Sequence, residues 1–113
     1  MTNTTVATQV ERNAETMQPC LEDLAAKMKA DFYKDGCTLD YEVEFYFGSK
    51  YIKIIKRWGG GSVGGFIVNT HNDKQFPYGT LLKAASWKAP ARNKSRGNIF
   101  EIADKKIPWT GIL

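Results

Sequence analysis

The sequence predicts an α+β fold, with one main amphipathic helix packed on a twisted antiparallel sheet of about four strands. Three observations carry that reading. Apolar residues recur at helical spacing between Pro19 and Lys34. From Asp40 to Phe47 the period changes to two, and a glycine-bearing turn follows. Beyond Trp58 come short apolar runs separated by Gly, Asn and Pro, the pattern of further short strands.

Taken in order, residues 1–18 are polar and threonine-rich at the start, and they form a flexible or weakly helical N-terminal segment. Val6, Val10, Ala14 and Met17 also fit a short amphipathic helix that would serve as an oligomer contact. Residues 19–113 form a single domain. Leu21, Leu24, Met28 and Phe32 fall on one helical face, with Glu22, Asp23, Lys27 and Lys29 off it. Pro19 suits a first-turn position and Gly36 a C-terminal stop, which places the helix at about 19–34.

Tyr41, Val43, Phe45 and Phe47 then alternate with Asp40, Glu42, Glu44 and Tyr46. With Gly48-Ser49 as a two-residue loop, Phe45 would face Ile52 and Val43 would face Ile54 on the core side. On the other side Tyr46 would meet Tyr51, Glu44 would meet Lys53, and Asp40 would meet Arg57, pairs that each add a few tenths to about 1 kcal/mol. Trp58–Ser62 reads as a flexible connection. Val63–Asn69 is a third strand, its Gly64-Gly65 marking a bulge or a close backbone approach. Thr70–Gly79 is a loop, Thr80–Trp87 a fourth strand and Ala89–Asn98 a basic loop. Phe100, Ile102, Ile107 and Trp109 would dock the tail.

At 113 residues, 42% hydrophobic and 25% charged, the chain has the composition of one globular domain, which excludes global disorder. No apolar run is long enough to cross a bilayer, and the polar start has no signal-peptide core. The expected location is therefore cytoplasmic, the host cytoplasm for a chain of phage origin, with no membrane partner. Cys20 and Cys37 lack metal-ligand spacing; a disulfide is allowed on count, but reduced thiols suit that compartment better.

Charge is the strongest functional signal. Residues 1–49 hold four basic and nine acidic residues, a net of −5, whereas residues 50–113 hold twelve basic and three acidic, a net of +9. Such asymmetry points to a polyanion partner for the basic half. Gly59, Gly61 and Gly64 match G-x-G-x-x-G, yet they lead into the strand-like Phe66-Ile67-Val68 instead of a helix, so no dinucleotide site is expected. His71 is the only histidine and sits in a polar loop, and Glu42 and Glu44 have Lys53 as a cross-strand partner. No enzyme, cofactor or metal site is expected.

The run from Lys83 to Asn98 carries Lys83, Lys88, Arg92, Lys94 and Arg96 with no acidic residue, and Trp87 offers either a stacking surface or a core side chain. Tyr46, Tyr51, Lys53, Ile55 and Arg57 share the sheet face away from the helix. An open face of this kind suits either nucleic acid or a second copy of the chain.

Gly64–Asn69, Gly79–Ala91 with its Lys-Ala-Ala-Ser-Trp-Lys-Ala-Pro-Ala run, and Arg96–Phe100 resemble pieces of small bacteriophage proteins, mostly uncharacterised. The combination of curved antiparallel sheet and helix is similar, at fold level, to the whirly-type single-stranded DNA-binding proteins, although there the helix follows the sheet. These resemblances imply a phage setting but assign no residue a role.

The resulting expectation is largely sequence-independent binding of single-stranded DNA or RNA, DNA being favoured. Lys53, Lys56, Arg57, Lys83, Lys88, Arg92, Lys94 and Arg96 would contact phosphates, and Tyr46, Tyr51 and Trp87 would stack on bases. A homodimer or higher oligomer is expected. The alternatives are an effector that docks on an acidic host protein, such as a transcription component, and a minor virion component.

Overall fold

The structure is a computed structural model that describes residues 11–113. Val6 and Val10 of the alternative N-terminal helix lie outside them, whereas its Ala14 and Met17 lie in the main helix. Helix α1 spans Ala14–Tyr33, so it begins five residues before the expected start, and Pro19 lies inside it instead of opening it. Its true start is a capping box. Asn13 Oδ1 accepts from the Thr16 amide and Thr16 Oγ1 accepts from the Asn13 amide, both at 2.9 Å. Asn and Thr at this spacing satisfy the orphan donors of the first turn, whereas Pro19 merely removes one later bond. At the other end Gly36, with φ +80°, donates to the Tyr33 carbonyl as the expected stop.

Four strands follow in the order β1 (Glu42–Phe47), β2 (Tyr51–Trp58), β3 (Gly60–Val68) and β4 (Leu81–Leu82), all antiparallel and each paired to the next. The expected α+β architecture is thus the one observed. The hairpin register differs from expectation by two residues. Phe45 faces Ile54, Val43 faces Lys56, Tyr46 faces Lys53, Glu44 faces Ile55, and Glu42 takes the place opposite Arg57 that Asp40 was expected to hold. The cause lies in the neighbouring strand end. Asn69 donates from its side chain to the Gly48 carbonyl and from its backbone to the Lys50 carbonyl, which sets the loop at Ser49-Lys50. A two-residue slip preserves the faces, because side chains alternate with period two.

β3 begins at Gly60, so the glycine run expected as a flexible connection is mostly strand, with Gly59 (φ +77°) making the turn. The bulge falls at Gly64, between the pairs Ile54–Gly65 and Ile55–Val63. β4 ends at Leu82 instead of reaching Trp87. Ser86 Oγ accepts from the amides of Lys88 and Ala89 and folds the chain into a tight loop, which the Ala91 amide closes on the Lys83 carbonyl.

The core lies between α1 and the sheet. Met17, Leu21, Leu24 and Met28 of the helix meet Ile52, Ile54, Ile67 and Leu81 of the sheet, with Ile99, Ile102, Ile107 and Ile112 closing the end. Burying each such side chain contributes roughly 1.5–3 kcal/mol. The opposite face is not the open surface the alternation suggested. Phe66, Val68, Phe76 and Leu82 form a second, smaller cluster there, and Ile55 is fully buried within the single chain. Cys20 and Cys37 are free.

Candidate nucleic-acid interface

The face opposite α1 carries a groove of about 360 Å³ beside the β1–β2 hairpin tip. Period two on β1 and β2 brings Tyr46, Tyr51 and Lys53 to this face, and the Ala84–Pro90 loop swings Lys88 against it. No acidic side chain lines it. Phe47, Lys50 and Phe66 complete the lining and were not among the expected site residues. Phe47 has the alternation of a core residue, yet it is 63% exposed at the hairpin tip. Lys50, placed in the turn by the register shift, could have been found only from the correct loop.

Trp87 stands at the tip of the Ala84–Pro90 loop, 47% exposed, which settles its choice between core and surface. Lys53 Nζ lies 4.5 Å from its ring centroid and 6.0 Å from that of Phe66. A cation held between rings is favoured by their quadrupoles and keeps its charge available at the surface. A second hollow of about 440 Å³ shares Lys50 and Tyr51 with the first and adds Thr70, Asn72, Lys74 and the ion-paired Asp73 and Arg92. The two together form a basic and aromatic surface around the hairpin tip.

The other expected residues are placed differently. Arg92 is held by Asp73 at 2.8 Å and donates to the Tyr51 hydroxyl at 2.6 Å, with its guanidinium over Phe76. It borders the second hollow as a clamp between the 70–79 loop and the sheet. The Asp73 carboxyl is held well below the usual carboxylate range by Arg92 and then by the amides of Phe76 and Gln75. Arg57 lies on the groove face but donates to Glu44 at 2.9 Å and to the Tyr46 hydroxyl. Lys56 points to the helix side, 5.6 Å from the Trp109 centroid, and burial lowers its pKa. Lys83 and Lys94 are exposed and Arg96 half-buried, and none of the three lines either hollow. His71 stacks on Tyr78 at 4.0 Å, and its Nε2 lies 2.9 Å from the Arg12 carbonyl, a packing role.

Among the described residues no three His, Cys, Asp or Glu side chains are grouped as metal ligands, and no helix is long and apolar enough to cross a membrane. The arrangement can hold anions on lysines and flat rings on aromatics. Fold and surface define a small α+β domain with a basic aromatic groove at the tip of a β-hairpin. The chain belongs to the family of unknown function DUF7717, which matches it over residues 1–112. No curated protein and no solved structure matches it.

Proposed function

We propose that this chain is a non-enzymatic binder of single-stranded nucleic acid, DNA in preference to RNA, acting in phage replication or gene expression in the host cytoplasm. The observation that supports this reading is the groove itself. Tyr46, Tyr51, Lys53 and Lys88 meet there with no carboxylate among them, and Trp87 stands alongside. Aromatic rings accept any base, and lysines act as mobile point charges on phosphates, so binding is largely indifferent to sequence.

The test is fluorescence anisotropy with labelled single- and double-stranded oligonucleotides over a salt series. Neutralising three phosphates on Lys50, Lys53 and Lys88 gives a log–log salt slope of about −2 on single strands. Tyr46→Ala and Trp87→Ala should each cost about 1–3 kcal/mol of affinity. Equal affinity for duplex and single strand, or no binding at low salt, would sink the proposal.

One observation favours a second reading, docking on an acidic host protein. A separate cleft of about 510 Å³ lies between α1 and the tail, with Lys27, Lys105, Lys106 and the Lys34–Asp31 ion pair around an apolar floor of Ala30, Ile107 and Pro108. A protein held there would stay bound in excess oligonucleotide, because the cleft shares no residue with the groove.

A further inference from the structure

The two edges of the sheet are treated unequally. At the β4 edge, Leu81 is already engaged: its amide donates to the Gly97 carbonyl at 2.8 Å and its carbonyl accepts from the Arg96 amide at 2.8 Å. At the other edge β1 offers six residues and, among the described residues, pairs on one side only. The phase of its ladder follows from one bond, that of the Gly48 amide to the Tyr51 carbonyl. In an antiparallel pair, residues that exchange both bonds alternate with residues that exchange none. Glu42, Glu44 and Tyr46 therefore turn their backbone groups toward β2, and Val43, Phe45 and Phe47 turn theirs outward. No Pro, bulge or lysine protects this edge, the devices that usually prevent edge pairing. Its two acids each have an ion-pair partner within the chain, Glu42 with Lys29 at 3.0 Å and Glu44 with Arg57 at 2.9 Å.

We infer that β1 pairs antiparallel with β1 of a second copy of the chain, about a twofold axis at Phe45. The strand is self-complementary in that register. Phe45 would meet its own copy, Val43 would meet Phe47, and on the groove face Glu44 would meet Tyr46. Centring on Glu44 would instead oppose two like charges, which destabilises a pair. The result is a continuous eight-stranded sheet that unites six outward backbone donors and acceptors per chain with those of the other copy. A twofold axis normal to the sheet puts both grooves on the same face, and each copy supplies a Tyr46 beside the other's Glu44. The inference does not rest on the proposed function, since one groove can bind a strand without a dimer.

The test reads amide hydrogen exchange by NMR at high and low protein concentration, with mass from sedimentation velocity. At high concentration the mass should be roughly 25 kDa, twice the 12.7 kDa of one chain. The Val43 and Phe45 amides should then exchange at least about tenfold slower than after dilution to monomer, while those of Glu44 and Tyr46 stay protected throughout. Phe47→Pro removes an outward donor and should give a monomer. Phe47→Asp keeps the backbone intact and, because Phe47 is exposed in the single chain, gives the same reading if the proline variant does not fold. A monomer at every concentration, a dimer in which Val43 and Phe45 exchange freely, or an unchanged dimer in folded Phe47→Asp would each overturn the inference.

Discussion

Arg92 shows how one residue changes meaning once its surroundings are known. Within a run free of acids it has the pattern of a phosphate contact, yet its partner Asp73 comes from the 70–79 loop, nineteen positions away. That carboxyl accepts from Arg92 and from the amides of Gln75 and Phe76. Its folded pKa is depressed, so its contribution to stability is present above its unfolded pKa, near 4. It is lost as pH falls from there through the lower folded value. Asp73→Asn should therefore flatten the acid limb of a stability–pH profile followed by thermal melting, with little change in its shape above pH 5. The shared face of Tyr46, Tyr51 and Lys53 was legible from sequence because strand period alone gives it, whereas Phe47 and Phe66 were missed. The clamp was not, because nothing local to Arg92 announces a carboxylate from another loop.

At the scale of elements, the bulge in β3 and the tail explain each other. Gly64 and Gly65 lack side chains where the tail arrives, and the Ile112 amide donates to the Gly64 carbonyl at 2.7 Å. Tyr41 donates its hydroxyl to the Trp109 carbonyl at 2.7 Å, and the Trp109 amide donates to Asp31. Gly111 has φ +105°, and a Cβ on it would collide with the Gly64 backbone. Gly36 also has positive φ, but open space surrounds it. Gly36→Ala should cost only about 1–2 kcal/mol for left-handed backbone, and Gly111→Ala clearly more, both read from urea unfolding. The glycine pair was legible as a bulge or close approach because glycine in a strand has few other uses. The length of β4 was not, because Leu81-Leu82 begins like any strand and Ser86 ends it through a side-chain bond. The hairpin register was hidden for another reason: a slip of two leaves every side chain on its expected face.

Across the whole molecule, five lysines of the basic half fall on two separate surfaces. Lys50, Lys53 and Lys88 serve the groove on one face of the sheet, and Lys105 and Lys106 serve the cleft beside α1 on the other side. Net charge alone cannot separate them, so a double charge reversal at each site should. Lys50→Glu with Lys53→Glu should weaken single-strand binding about tenfold or more, as the loss of two phosphate contacts requires, while Lys105→Glu with Lys106→Glu should leave it within about twofold at moderate salt. Titration of both variants against one labelled oligonucleotide decides the matter. Equal losses would mean that overall charge, not the groove, governs binding.

The path by which the tail meets the sheet also governs how the chain can fold. Helix α1 buries Met17, Leu21, Leu24 and Met28 in a core that Ile99, Ile102, Ile107 and Ile112 complete, so two sides of one core are separated by some eighty positions of sequence. During synthesis, at about 5–20 residues per second, the helix leaves the ribosome several seconds before the residues that cover it. Its apolar stripe spends that interval against an incomplete sheet, open to chaperones and to other nascent chains. Contacts of such long range slow folding, and the bond from the Ile112 amide to the Gly64 carbonyl is among the last that the growing chain can make.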